Sequence, residues 1–374
     1  MNSTPVIVSA SCIFPSGPRI ELADTAVRAQ LAQLQRHPDY VDGAGEPVRT
    51  SFFPVERPFD SARWGALARE ALEQVMADLL RRGQEGLRGR ARWLWIVLPE
   101  NALRPGLPTD LAEMVRKSVQ DVAGAWTGIV IRKGGHAEGV AAIEEAAEKL
   151  EADPSALAVV LGVESGLSHD ALMWLDARSL LHGAHRAYRG GFRVEPYGRV
   201  PGEGAAAIAI SGRLASGGKS WARLLGVARA HEPNTYDSGK VCVGAGLSQA
   251  VRAALEQGRE FSADQIGWIS VDLNGEPYRA DQFGFTALRL ADALAAGWQR
   301  VVPALASGDL ASASAVAHIA LAAYGMSRRP SQANHLVLSS SDDPLRGAVL
   351  IGPTDPSPAW QESRSWRSPS TSTV

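Results

Sequence analysis

The sequence predicts an α/β protein built from two similar halves, and three observations carry that prediction. Apolar, β-branched runs alternate with helix-patterned segments along nearly the whole chain. The alternation repeats in the same style on either side of a seam at 211–220. A length of 374 residues suffices for two such units around large cores.

In the first half the strand expectations are residues 5–9, 93–98, 127–131, 156–163 and 205–210. Helical periodicity predicts helices over 61–81, 109–122 and 136–151. In the second half strands are expected at 222–228, 266–273, 300–305, 335–339 and 347–351, with helices at 247–257, 285–296 and 311–324. Strands this apolar are buried on both faces, which predicts mostly parallel sheets covered by helices. Segment 31–58 lacks periodicity and reads as an irregular excursion. Residues 354–374 are rich in Ser and Pro and read as a disordered tail, leaving halves at 1–211 and 220–353.

Composition narrows the function classes. The chain is 45% hydrophobic and 21% charged, with a formal charge of 38 − 40 = −2, so no polyanion-binding surface and no nucleic-acid partner are expected. The densest basic run, Arg81, Arg82, Arg88, Arg90 and Arg92 with Glu85 among them, reads as a solvated loop. Cys12 and Cys242 form no CxxC or Cys/His pattern, which argues against a disulfide framework, a zinc site or another cofactor. No basic-then-apolar leader and no run of membrane-spanning length are present, so a cytoplasmic protein without a membrane partner is expected.

The most informative stretch runs from Gly134 to Ile143. A strand-like run leads into Gly134-Gly135, and a helix-favouring run follows from Ala137. His136 is thereby placed at a strand-to-helix corner, where exposed backbone amides and the positive helix end serve catalysis in other proteins.

Other segments line up in order around this corner. Val6-Ile7-Val8-Ser9-Ala10 is followed by Pro15-Ser16-Gly17; Val160-Leu161-Gly162-Val163-Glu164-Ser165 ends a strand; Pro201-Gly202-Glu203-Gly204-Ala205-Ala206 begins another. In this order and spacing the chain resembles the β-ketoacyl synthases, condensing enzymes of the thiolase fold, from about Pro5 to Ile351. The resemblance implies a thiolase-like fold with mixed five-stranded sheets and buried helices between them. It also implies that His136 falls on the catalytic cysteine. Asn274, in Val271-Asp272-Leu273-Asn274-Gly275-Glu276, falls on the first histidine. Asp309 falls on the second histidine, and Ala304 on the lysine. Ser339-Ser340-Ser341-Asp342-Asp343 stands where the family closes with Gly-Phe-Gly-Gly.

These replacements remove the chemistry that the resemblance implies. Cysteine is a strong nucleophile whose pKa falls at a helix N-terminus, whereas an acyl-imidazole hydrolyses readily. Asn274 retains a donor for an oxyanion, and losing such a donor costs ~3–4 kcal/mol. Asp309 as a carboxylate only accepts hydrogen bonds; facing a malonyl carboxylate at about 4 Å it adds up to ~4 kcal/mol of repulsion at a dielectric near 20. The expectation is a non-condensing binding, assembly or adaptor module. The alternative is thioester or ester hydrolysis with His136 as general base, oriented by Asp309 and assisted by Asn274. By resemblance, the partners are a second copy or a related chain, as for a chain-length factor. An acyl carrier protein or a secreted effector of a bacterial secretion system is the other expectation.

The remaining features have structural readings. Cys242 and Cys12 read as buried structural cysteines. His182, His185, Arg186 and Arg189 read as a polar surface loop without nearby carboxylate ligands. Glu144, Glu145, Glu148 and Glu151 read as the wet side of a helix. Trp93 and Trp95 are expected to pack a core face, and Trp360 and Trp366 in the tail to anchor a partner.

Overall fold

The computed structural model describes residues 4–54, 59–81, 90–100, 104–212, 219–259, 266–329 and 333–354. Arg82, Glu85, Arg88, Trp360, Trp366 and the tail from 355 onward lie outside these residues.

The first half contributes β1 (Val6–Ile13), β4 (Arg92–Pro99), β5 (Gly128–Gly134), β6 (Leu157–Ser165) and β9 (Glu203–Ser211) to one sheet. The second half contributes β10 (Ala222–His231), β11 (Ile266–Val271), β12 (Leu294–Val301), β13 (Asn334–Ser340) and β14 (Leu345–Gly352). The order across the sheet is β12-β11-β13-β14-β10-β1-β9-β6-β4-β5. Counted along the chain, each group of five therefore has the order 3-2-4-5-1. The two groups join where Val6 and Ile7 pair with Arg223 and Ala222, making one ten-stranded sheet instead of two separate ones.

The sheet is mixed, which corrects the expectation of mostly parallel strands. Only the outer three strands of each group run parallel. The inner contacts, including β9 with both β6 and β1, are antiparallel. Continuous apolar runs report that both faces are covered, and β6 and β9 are buried at every residue; they do not report direction.

Apolar cores separate the layers. The largest holds α4 (Glu138–Ala152) and α9 (Ser314–Arg328) against residues of both strand groups. Residues Ser314 to Tyr324 of α9 are all buried, the signature of a helix packed on every side. A second core packs α2 (Ser61–Arg81) and α3 (Leu111–Val119) on the outer face of the first group. The third packs α6 (Ala245–Gln257) and α7 (Pro277–Arg289) on the outer face of the second. Each fully buried Leu, Ile or Val contributes ~1.5–3 kcal/mol through removal of its side chain from water. The Trp93 and Trp95 rings lie 6.4 Å apart at the central core, as expected of a core face.

Several elements differ from the sequence expectation. The helix expected at 285–296 is α7, which begins at Pro277 and ends at Arg289. Its Pro occupies the first turn, where the missing N–H costs nothing. The following Ala-rich stretch becomes β12 because it pairs with β11, and tertiary pairing outweighs helix propensity. The strand expected at 300–305 stops at Val301; Pro303 is already helical at φ −61 and opens the short α8 (Ala304–Ser307).

Segment 31–58 is not wholly irregular, since β2 (Gln35–Val41) and β3 (Pro47–Thr50) form a hairpin. The Asp42 side chain accepts the Ala44 and Glu46 amides and builds its turn. Helices α1 (Ile20–Ala29) and α5 (His169–Ala177) had no expectation. The residues read as a polar loop around 185 form a second hairpin, β7 (His185–Tyr188) with β8 (Gly191–Val194). Among the described residues no helix is long and apolar enough to cross a membrane.

Candidate functional site

His136 lies between β5 and α4, at the predicted corner. Gly135 is required there by close approach, because a Cβ would stand 2.8 Å from the Ser341 side chain. Asn274 follows β11, with Gly275 at φ +102 beside it turning the chain into α7. Asp309 follows α8, and Gly308 at φ +70 turns it inward. The segment is pinned by Gly202 N donating to Asp309 O at 3.0 Å and Asp309 N donating to Val200 O at 2.8 Å. These positions gather at the carboxyl ends of β5 and β11, where open α/β sheets place their ligands.

The structure brings all three together. The His136 Nε2 atom is 2.7 Å from Asp309 Oδ1, and Asn274 Nδ2 donates to Asp309 Oδ2 at 3.1 Å. Ala304, which the resemblance set on the family lysine, lies in α8 and adds no polar side chain.

Five further residues complete the cluster. Arg279 on α7 places Nη2 3.2 Å from His136 Nδ1. An arginine can only donate, so Nδ1 accepts and the imidazole proton sits on Nε2, directed at Asp309. Arg279 also donates to Asp342 Oδ1 at 2.7 Å, Glu276 Oε2 at 2.8 Å and Asp272 Oδ2 at 3.1 Å, and to the Ser340 carbonyl. Arg199 donates to Glu276 Oε1 at 2.6 Å and contacts Asp309 Oδ2 at 3.3 Å and Asp342 Oδ2 at 3.2 Å. Two guanidiniums thus hold four carboxylates around one imidazole.

Burial raises the Asp309 carboxyl, but His136 and Arg199 outweigh it and hold its pKa well below the ordinary carboxylate range. Burial likewise raises Glu276 and Asp342, and in each Arg199 and Arg279 reverse the sign. His318 on α9 approaches from below; burial lowers its pKa to about 4, and its Nδ1 has no hydrogen-bond partner.

The arrangement leaves His136 closed. It is 2% exposed, both ring nitrogens are engaged, and its carbonyl accepts from Ser339 Oγ at 2.8 Å. The amide expected to be free at the helix start is Ala137 N, which donates to Ser341 Oγ at 3.0 Å. The serine- and aspartate-rich segment after β13 therefore supplies both a cap for the corner and, through Asp342, an anchor for both arginines. Solvent reaches this network at Asn274 and at Asp342, which is 31% exposed.

Of the added residues, Arg279 carried a readable signal: it stands three positions after Glu276 at the start of a helix, a spacing that puts both on one face. Arg199 and Asp342 carried none, because their partners lie far off in sequence.

Other candidates resolve separately. Cys12 is buried in β1, which raises its thiol pKa well above the ordinary value. Cys242 is buried with its Sγ 3.6 Å from Gln282 Oε1 and makes no direct bond to His136, Asn274 or Asp309 among the described residues. His185 does have a carboxylate neighbour, contrary to expectation: Asp42 Oδ2 is 2.8 Å from its Nδ1, brought there by the β2–β3 hairpin. Among the described residues no group of three or more His, Cys, Asp or Glu could hold a metal ion. The acidic row on α4 is only partly wet. Glu144 pairs with Arg229 and Glu145 accepts from Trp95 Nε1, while Glu148 and Glu151 are exposed.

Glu203 of the Gly-Glu-Gly-Ala segment is a structural anchor. It is 0% exposed and accepts from Arg63 Nε at 2.6 Å, Phe53 N at 2.7 Å and Ser165 Oγ at 2.8 Å.

No family model matches the sequence, and no curated protein matches it. Solved structures do. A type II polyketide synthase acyl-carrier protein in complex with its ketosynthase, bound to the hexaketide, superposes with a TM-score of 0.77 at 14% identity, covering 95% of this chain and 100% of that one. The ishigamide ketosynthase/chain length factor gives 0.74 at 13% identity, covering 95% and 100%. A β-ketoacyl synthase from Burkholderia phymatum gives 0.69 at 16% identity, covering 94% and 100%. The chain has the ketosynthase-like, thiolase-type α/β fold.

Proposed function

We propose that this chain is a non-condensing ketosynthase-like subunit that works by assembly, pairing with a second ketosynthase-type chain and engaging an acyl carrier protein. One observation carries the reading: the cleft at His136 is filled by its own charged side chains. A condensing enzyme needs a nucleophile that a thioester can reach and donors aimed at an enolate. Here the imidazole is 2% exposed, and the facing Asp309 carboxylate is an acceptor. Two of the similar structures pair by name with such partners, a chain length factor in one and an acyl-carrier protein in the other, which supports the assembly role. The repeated 3-2-4-5-1 strand order supports dividing the chain into halves at 1–211 and 220–353.

The hydrolase alternative has the right base-and-orienter pair in His136 and Asp309. It lacks a free ring nitrogen to take a proton from water, because Arg279 donates to Nδ1.

The test combines two measurements on the full chain. Light scattering of the chain, alone and mixed with a catalytically intact ketosynthase, is expected to give a dimeric mass. Incubation with acyl and malonyl thioesters of a carrier protein is expected to give no covalent adduct and no product above background. A strictly monomeric chain that captures neither protein overturns the assembly reading. Thioester turnover that disappears in His136→Ala establishes hydrolysis instead.

A further inference from the structure

A cavity of about 290 Å³ lies between α1, α9 and the strands β11, β12 and β13, and its lining includes none of the residues around His136. That volume stands at the lower end of small-molecule pockets, roughly 300–1,000 Å³. Nothing in the network around His136 uses it.

Strand register builds its floor. Trp268 on β11 stands opposite His335 on β13, and Ser270 stands opposite Val301 on β12. Residues 268 and 270 are two apart and so share one face of the sheet. The walls are one face of α1 and one face of α9, through Val27, Leu321 and Met326. Gly325 contributes no side chain, and this keeps the space open; a Cβ there meets only the flexible end of Arg329, at 3.2 Å.

The polar groups at this cavity are few and placed apart. His335 Nε2 and Ser270 Oγ satisfy each other at 2.8 Å, so the floor presents a neutral pair. Burial lowers the His335 pKa to about 3, consistent with that neutrality. Asp24 is held in two-point fashion by Arg329, at 2.9 and 2.8 Å. Arg28 lines the same mouth, is exposed, and has no ion-pair or hydrogen-bond partner among the described residues. The mouth therefore carries one uncompensated positive charge. The indole N–H of Trp268 is likewise without an acceptor among the described residues, leaving a second donor.

An apolar slot with a single free guanidinium at its rim recognises a particular chemistry. A neutral hydrocarbon leaves Arg28 unused, and a bare inorganic anion leaves the apolar walls unfilled. We propose that this cavity binds a small amphipathic carboxylate, with its apolar body between α9 and the sheet and its head group at Arg28. Arginine suits that head because its planar donors match a carboxylate in two-point geometry. This inference does not depend on the assembly role proposed above.

The test is calorimetric titration of the full chain with octanoate, 1-octanol and inorganic phosphate as probes. Saturable one-to-one binding of octanoate is expected, with 1-octanol at least about tenfold weaker and phosphate alone not binding. Arg28→Gln, an exposed change that leaves the fold intact, is expected to weaken octanoate about tenfold, equivalent to ~1.4 kcal/mol. Gly325→Leu fills the slot and is expected to abolish binding while the melting temperature is held or raised. Absence of saturable binding overturns the proposal, as does octanoate binding that survives Gly325→Leu. Equal affinity for 1-octanol and octanoate overturns the assignment of Arg28 to the head group.

Discussion

Asp309 Oδ1 lies 2.7 Å from His136 Nε2, joining two residues 173 positions apart in a sealed acid–imidazole pair. Both partners are almost wholly removed from solvent. Its outer members are held in turn by Arg199 and Arg279, so neither residue is free to swing away.

Restoring sulfur alone should therefore restore nothing. His136→Cys is expected to leave malonyl-thioester decarboxylation at the background rate. The new thiol would stay enclosed by the Asp309 carboxylate and the Arg279 guanidinium, and the Ala137 amide remains committed to Ser341 Oγ. Carbon dioxide release from a malonyl-loaded carrier protein is the measurement, and release above background refutes this account of the site.

Arg279 should be the stability keystone of the cleft. It is 2% exposed and bonds Asp272, Glu276 and Asp342. Arg279→Leu leaves buried carboxylates uncompensated and is expected to cost ~3–5 kcal/mol. Urea unfolding reads this directly; a loss under ~1 kcal/mol shows that the network is spectator charge.

The same reasoning applies to Glu203 with Arg63, a pair almost wholly removed from solvent. Glu203→Leu is expected to destabilise by ~3–5 kcal/mol, since Arg63 loses its buried carboxylate partner and the Phe53 amide and the Ser165 hydroxyl lose an acceptor. The double variant with Arg63→Leu should cost clearly less than the sum of the singles, because each single change already breaks the same ion pair. Additive losses would show that the two residues act independently.

Acid should weaken the fold from near neutrality. His318 and His335 have pKa values lowered to about 4 and about 3 from an ordinary 6.5, with burial the cause. Each stays neutral when folded and takes up a proton only on unfolding, so stability is full above pH 6.5 and declines as pH falls towards those values. Each contributes a slope of ~1.4 kcal/mol per pH unit in that window. Below the ordinary carboxylate range Asp309, Glu276 and Asp342, all with lowered pKa values, act in the same direction. Unfolding free energies at pH 7, 6 and 5 test this. His318→Gln and His335→Gln should each reduce the slope, with His37, also lowered by burial, contributing part of the remainder, and a flat profile in the parent protein contradicts the burial of neutral imidazoles.

Much of the architecture was legible because burial leaves a compositional trace. The helix expected at 61–81 is α2 to the residue, and the apolar runs at 93–98 and 205–210 lie inside β4 and β9. Where local preference and pairing disagreed, the reading failed: the Ala-rich stretch near 294 has helical character and became a strand because β11 offered it a parallel partner. The hairpin β2–β3 was invisible for a related reason, since its strands are short, charged and exposed on one side.

By itself the sequence determined that His136 stands at a strand-to-helix corner and that strands buried on both faces alternate with helices. Backbone geometry and local composition suffice for such statements, because they depend on neighbours in the chain. Only the tertiary structure decided that the cleft is closed, through Arg199, Arg279 and Asp342 arriving from separate turns. It alone decided which strands run antiparallel, and that a slot forms beside Gly325. Packing of distant segments is set by the whole energy balance of burial and charge compensation, and no local pattern encodes it.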